Sequence, residues 1–176
     1  MNENHDMRKK GLFHRFYPDK WVNSAFDIDY ERLYEDGFRG LDIDNTLVYH
    51  GAPADERAVR LFERLYRIGF RACLLSNNDL PRVKPFADVV GTEFIEDAHK
   101  PSTKNYLAAC RRMGTNVSNT IFIGDQLFTD VYGAKRSGIP NILVKPMNPK
   151  EEIQIVFKRK LERIVLFFYK KQQKNG

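Results

Sequence analysis

Asp42 and Asp44 stand two positions apart in the run Asp42-Ile43-Asp44-Asn45-Thr46-Leu47, where an apolar stretch (Phe38, Leu41) gives way to a polar turn. On an extended strand, residues i and i+2 point to the same side, and the loop beyond can aim both carboxylates at one substrate. Such a pair suits phosphoryl transfer. One carboxylate attacks phosphorus and helps hold a divalent cation, while the other carries the proton. An isolated Asp-x-Asp is common in surface loops, so its meaning depends on what accompanies it.

Three further groups accompany it in order. Ser76-Asn77-Asn78 closes the apolar segment Phe70 to Leu75, Lys100-Pro101-Ser102 opens a helical pattern, and Gly124-Asp125, with Asp130 beyond, closes Thr120 to Ile123. Each has a plain structural reading when taken singly. Thr46 and Ser76 could be turn or cap residues, Lys100 a solvated cation and Asp125 a helix cap. Together they supply a carboxylate nucleophile, a proton carrier, a hydroxyl donor, an ammonium and further carboxylates for a metal. Nucleophile and phosphate are both anionic, so Mg2+ and Lys100 are needed to bring them together.

The elements that must position these groups are read from periodicity. A short helix over about 29–36 stops at Gly37, and a first strand runs into Asp42. Only four residues separate Gly37 from Asp42, and Arg39 and Gly40 suit a strand core poorly, which predicts a strand that is short or out of register. His50-Gly51-Ala52-Pro53 is a turn. Ala58, Leu61, Phe62, Leu65 and Ile68 mark an amphipathic helix ended by Gly69, followed by a strand over Phe70 to Leu75. A short helix follows Pro81, then apolar stretches at Val89-Val90 and Phe94-Ile95. Ser102 is placed to cap a helix with Tyr106, Leu107 and Cys110 on its inner side, ended by Gly114. A strand at Thr120 to Ile123, a helix over 127–137 closed by Gly138, and a buried strand at Asn141 to Val144 complete the body. Residues 11–26, rich in aromatics, read as an irregular segment packed on it. Strands alternating with helices imply a doubly wound α/β domain with a parallel sheet. Ligands bind such sheets at the C-terminal ends of the strands, and that edge carries every candidate group.

The 176 residues suit one domain with a sizeable core, and no apolar segment follows Arg8-Lys9-Lys10 as a secretory signal would require. The longest apolar run, Ile164 to Tyr169, is far short of the roughly 20 residues of a spanning helix. Two lone cysteines, Cys73 and Cys110, read as reduced core thiols of a cytoplasmic protein. Residues 1–144 hold 20 basic and 20 acidic residues, whereas residues 145–176 hold nine and three, so the tail carries the whole net charge of +6. The expected organisation is a flexible N-terminus at 1–12, a catalytic domain at 13–147 and a basic amphipathic helix within 148–176.

The runs Asp-Ile-Asp-Asn-Thr-Leu, Leu-Leu-Ser-Asn-Asn, Lys100-Pro101 and Gly-Asp-Gln-Leu-Phe-Thr-Asp resemble the four motifs of the haloacid dehalogenase (HAD) superfamily of phosphatases. The wider sequence over about 13–147 is similar to the YqeG-like branch of HAD subfamily IIIA. The resemblance implies a HAD-like Rossmannoid fold and hydrolysis of a phosphomonoester through an aspartyl-phosphate. It makes Asp42 the nucleophile and Asp44 the general acid and then base. Mg2+ would be bound by the Asp42 side chain, the Asp44 main-chain carbonyl and the Asp125 carboxylate. Ser76 and the amide of Asn77 would hold phosphoryl oxygens, Lys100 would stabilise nucleophile and phosphate, Asp130 would orient Lys100 or the metal's water shell, and Thr46 would brace the loop.

Asp44 and Ser76 are 32 positions apart and Ser76 and Lys100 are 24 apart, which leaves no room for a cap domain. An uncapped site favours a large substrate: a lipid head group, a nucleic-acid end or a phosphoprotein. In the tail, Ile153, Val156, Phe157, Leu161, Ile164, Val165 and Phe168 share one helical face, with Lys158, Arg159 and Arg163 around it. This pattern fits a peripheral contact with the inner face of a membrane, and equally a terminal helix docked on its own domain. Some eukaryotic relatives of the YqeG-like branch dephosphorylate phosphatidylglycerophosphate, which makes that lipid or a related anionic phosphomonoester the leading substrate. The rivals are a phosphatase for nucleic-acid ends or a small phosphomonoester, a phosphoaspartate receiver domain, and a non-catalytic binding protein on the same scaffold. Asp44 argues against the receiver, which needs no proton carrier two residues after its phosphorylated aspartate.

Overall fold

The computed structural model describes residues 13–43, 47–48, 52–147 and 153–174. The expected mobile N-terminus and half of the turn at 50–53 lie outside them. Six parallel strands form one sheet: β1 (Lys20–Trp21), β2 (Gly40–Ile43), β3 (Arg71–Leu75), β4 (Glu93–Ile95), β5 (Thr120–Gly124) and β6 (Asn141–Leu143). Their spatial order is β1-β6-β5-β2-β3-β4. Helices α1 (Tyr30–Glu35), α2 (Glu56–Ile68), α3 (Leu80–Val90), α4 (Thr103–Arg112), α5 (Tyr132–Arg136) and α6 (Ile153–Lys174) accompany it. The doubly wound parallel α/β architecture expected from the alternation is present. Among the described residues, no separate module interrupts the two gaps between motifs.

The period of two sorts the strand residues onto two faces. Leu41, Ile43, Leu74, Ile121 and Ile123 pack against Tyr30, Leu61, Phe62, Leu65 and Phe86 of α1, α2 and α3. Cys73, Leu75 and Phe122 pack against Tyr106, Ala109, Cys110 and Met113 on the other face. A third cluster joins Leu127, Val131, Leu143 and Val165 to the aromatics Phe13, Phe16, Tyr17 and Trp21. Both cysteines are free and buried. Burial, with a smaller contribution from the negative charge of Asp42, pushes the Cys73 thiol far above its usual range, so it stays protonated.

Several details differ from expectation, each for a physical reason. The aromatic N-terminal segment contains a strand, β1, which pairs with β6. Asp19 fastens this edge by accepting from the Asn141 amide (3.0 Å) and side chain (2.7 Å) and from Lys135 Nζ (3.0 Å). Helix α3 runs through Pro85 and takes in Val89-Val90 as its last turn, because Val83, Phe86, Ala87 and Val90 bury a continuous face. Leu107, expected on the inner side of α4, is exposed beside it, and Ala109 and Met113 line the core instead. Ser102 sits at the N-cap without a side-chain bond to the helix. The expected helix after Asp125 begins as a π-helical turn (Leu127–Val131) before continuing as α5.

Strand β2 is four residues long, as Arg39 and Gly40 foretell, and lies between β5 and β3. Gly40 fits there because nothing larger does. A Cβ would come within 2.8 Å of Thr115 Oγ1 and 2.9 Å of Thr120 Oγ1, two hydroxyls that bond each other at 2.8 Å. Gly40→Ala is therefore expected to destabilise the fold by about 1–3 kcal/mol, the usual cost of overpacking. Urea unfolding checks this, with a lowered midpoint and an unchanged slope as the expected result.

Candidate active site

Strands β5, β2 and β3 are adjacent, and their registers align the exits of all three. Asp42 lies opposite Cys73 and Phe122, and Ile43 opposite Leu74 and Ile123. Ser76 and Asp125 follow these last pairs by two residues each, so both loops leave the sheet at the edge toward which β2 carries Asp42. Asp42 is wholly buried, and its charge helps raise the thiols of both Cys73 and Cys110, after burial itself. It is therefore on the α4 face of the sheet. Asp44 and Thr46 lie outside the described residues.

Lys100 reaches the same face. Its Nζ is 5.5 Å from the centre of the Phe122 ring and donates to Asp130 Oδ1 at 2.8 Å. The two side chains are 2% and 0% exposed. A buried ion pair is stable only when its remaining polar atoms are also satisfied, and here they are. Asp130 Oδ2 accepts from the amides of Asp125 (3.1 Å) and Gln126 (3.0 Å), and Oδ1 also from Thr129 Oγ1 (3.3 Å). Gly124 makes this possible, since a Cβ there would stand 2.5 Å from Asp130 Oδ2.

The backbone of Lys100 is gripped from the other side. Its amide donates to Asn77 Oδ1 at 2.7 Å and its carbonyl accepts from Asn77 Nδ2 at 3.4 Å. Asn77, expected to contribute its amide to phosphate, thus also locks the Lys100 loop with its side chain. Ser76 Oγ accepts from the Asn78 amide (3.2 Å) and from Asn78 Nδ2 (3.0 Å). With both acceptor directions engaged, the hydroxyl proton remains for donation to an anionic oxygen. The sequence reading places Asn78 in this run without a role, although an asparagine two residues after a serine is a recognisable local bonding pattern.

Helix α6 supplies a residue that escaped the sequence reading. Glu162 is buried, and its Oε1 accepts from the amide of Leu127 at 2.7 Å. It is the single acidic residue of positions 153–174, which was a signal in itself. The apolar face expected on this helix is divided: Val165 packs into the third cluster, whereas Leu161, Ile164 and Phe168 are exposed. Helical spacing explains the division, since 162, 165 and 169 form one side and 161, 164 and 168 another. The side chains of 153–159 lie outside the description. No helix among the described residues is long and apolar enough to cross a membrane.

The residues assigned by resemblance to a metal are Asp42, Asp125 and the carbonyl of Asp44. All offer hard oxygen donors, and a site of one or two carboxylates completed by substrate oxygens suits Mg2+. Among the described residues no group of three His, Cys, Asp or Glu forms an all-side-chain cage.

A family model for haloacid dehalogenase-like hydrolases matches residues 20–138. Over 160 residues the chain is 38% identical to the probable phosphatase YqeG of Bacillus subtilis (strain 168), a match covering 89% of this chain and 93% of that one. It is 27% identical over 161 residues to the chloroplastic/mitochondrial phosphatidylglycerophosphate phosphatase 1 of Arabidopsis thaliana, covering 85% of this chain and 46% of the relative. In fold it is similar to an uncharacterized protein from Listeria monocytogenes serotype 4b, with a TM-score of 0.51 at 14% identity over 65% of this chain and 85% of the other. The chain belongs to the haloacid dehalogenase-like hydrolases and is a phosphatase of that family.

Proposed function

We propose that this phosphatase hydrolyses phosphatidylglycerophosphate or a related anionic phosphomonoester through an aspartyl-phosphate on Asp42. The observation that carries the mechanism is the convergence of Asp42, Ser76, Asp125 and the Lys100–Asp130 pair on one edge of the sheet. An Asp42 carboxylate oxygen attacks phosphorus while Asp44 protonates the leaving oxygen. Asp44 then removes a proton from the water that attacks the acyl phosphate, which returns Asp42 and releases phosphate. Ser76 donates its hydroxyl proton to a phosphoryl oxygen, assisted by the amide of Asn77, and the Lys100 ammonium offsets the charge gathered at Asp42 and phosphate. The Asp42 and Asp125 carboxylates and the Asp44 carbonyl would hold Mg2+, which would supply further charge neutralisation when bound. Phosphatases of this family use a divalent metal.

The substrate assignment rests on the absence of a cap module among the described residues, on the name of the Arabidopsis relative, and on the outer side of α6. Leu161, Ile164 and Phe167 are 43%, 50% and 64% exposed there, with Lys160, Arg163, Lys170 and Lys171 exposed around the helix. Apolar and basic groups together suit the surface of an anionic bilayer, where each Lys or Arg contributes about 1 kcal/mol.

Asp42→Asn is expected to abolish turnover while leaving the melting temperature near that of the wild type. Asp44→Asn should lower kcat by roughly 10²–10⁴-fold. A panel containing phosphatidylglycerophosphate, a nucleic-acid 3′-phosphate and p-nitrophenyl phosphate, assayed with Mg2+ and with EDTA, tests chemistry and substrate together. Turnover that persists in excess EDTA contradicts the metal assignment.

Binding to vesicles should require anionic lipid, weaken with salt through screening, and fall on replacing Ile164 and Phe167 with serine. Co-sedimentation with anionic and with neutral vesicles measures it. Equal binding of the double variant and the wild type contradicts the membrane contact.

A further inference from the structure

The loop that carries Asp125 is held by two carboxylates from different parts of the chain. Three consecutive amides are engaged: those of Asp125 and Gln126 by Asp130, and that of Leu127 by Glu162 from 35 residues away. Leu127 opens the helical run that continues through the π-turn into α5. Its amide is one of the initial donors that a helix cannot satisfy internally, and a carboxylate there also meets the positive end of the helix dipole. The Leu127 side chain is buried beside Val131, Leu143 and Val165, so backbone and side chain are anchored to the same patch of α6.

A glutamate is a costly choice for a contact that only docks a helix. Glu162 is 5% exposed, on the helix side that carries Val165 into the third cluster, and removing a carboxylate from water costs several kcal/mol unless it is well bonded. An apolar residue would serve docking without that penalty. What Glu162 adds is a fixed acceptor for one amide, two residues after Asp125 and three before Asp130.

We propose that Glu162 is a positioning residue for the phosphatase reaction. Through Leu127 it sets the Asp125–Asp130 loop, so the C-terminal helix is part of the active site's framework. The proposal rests on the phosphatase reading of this edge, in which Asp125 faces the metal and Asp130 holds Lys100. Loss of the acceptor lets the loop relax by a fraction of a bond length, and misplacement of about 1 Å can cost on the order of 100-fold in rate.

The test uses the full-length protein with four substitutions: Glu162→Leu, Glu162→Gln, Glu162→Asp and Val165→Ala. Val165→Ala removes packing from the same helix side, including packing around the Leu127 side chain, and leaves the Glu162 bond to the Leu127 amide in place. The measurements are kcat and KM on p-nitrophenyl phosphate, the Mg2+ concentration for half-maximal thermal stabilisation without substrate, and amide exchange at residues 125–127. Glu162→Leu is expected to lose roughly 10- to 100-fold in kcat, to need more Mg2+ and to exchange these amides faster. Glu162→Gln, whose side-chain carbonyl can still accept from Leu127, should recover most of the rate. Val165→Ala should lower the melting temperature and leave kcat and the Mg2+ requirement unchanged.

Wild-type kcat and Mg2+ dependence in Glu162→Leu overturn the proposal. So does the same kinetic loss in Val165→Ala at an equal drop in melting temperature. Should the leucine variant not fold, Glu162→Asp decides, because it keeps the charge and withdraws it by one methylene: reduced kcat supports the proposal and wild-type kcat overturns it. A wild-type protein that turns over no phosphomonoester overturns the phosphatase reading itself, a result distinct from active variants.

Discussion

The ion pair between Lys100 and Asp130 joins loops that leave the sheet far apart in sequence, and the geometry of the site depends on it. Buried from water, the pair is tolerated because the Asp130 carboxylate is bonded at both oxygens and the Lys100 backbone is held in place. Asn77 clamps the backbone of Lys100, and Asp130 spends its second oxygen on the amides of Asp125 and Gln126. The pair and these bonds together tie three groups: the turn at Ser76-Asn77, the ammonium, and the loop bearing Asp125. Breaking such a pair from one side leaves an uncompensated buried charge, a penalty of about 3–5 kcal/mol. Stability and chemistry are bound together at this edge.

The sheet makes the arrangement possible by placing β2 between β5 and β3. Parallel strands in this order send three exits to one edge, and the alternation of side chains keeps Asp42 on the face shared with Phe122 and Lys100. Two glycines permit the close approaches involved. Gly40 gives way to a pair of threonine hydroxyls at the start of β2, and Gly124 to the Asp130 carboxylate at the end of β5.

Much of this was legible in the residues. Periodicity and glycine stops placed β2, α2, β3, α4 and β5 close to where they are found, and the four motifs pointed to one sheet edge. What escaped has specific causes. Strand β1 is two residues long and depends on Asp19 bonding to Asn141, a contact across 122 positions that local pattern cannot reveal. A short helix was expected after Pro81, but a buried stripe of Val83, Phe86, Ala87 and Val90 carries α3 through Pro85 to Val90. The role of the C-terminal helix was ambiguous because a single apolar face, as the spacing suggested, suits a membrane surface and the chain's own domain alike. Only the fold shows that Glu162 and Val165 face the body while Leu161, Ile164 and Phe167 face outward. That helix turns exposed apolar side chains outward and brings Glu162 to the loop beside Asp125.

The central chemical claim is that Asp42 carries the phosphoryl group between substrate and water. Rapid acid quench of the Asp44→Asn protein during turnover of p-nitrophenyl phosphate, followed by peptide mass spectrometry, tests it most directly, because that leaving group departs with little need of a general acid while hydrolysis without the Asp44 base is slowed, so the acyl phosphate accumulates. The expected result is a phosphorylated peptide containing Asp42, absent when EDTA is present. Phosphate on a different residue, or continuing turnover with no covalent phosphate on Asp42, would contradict it.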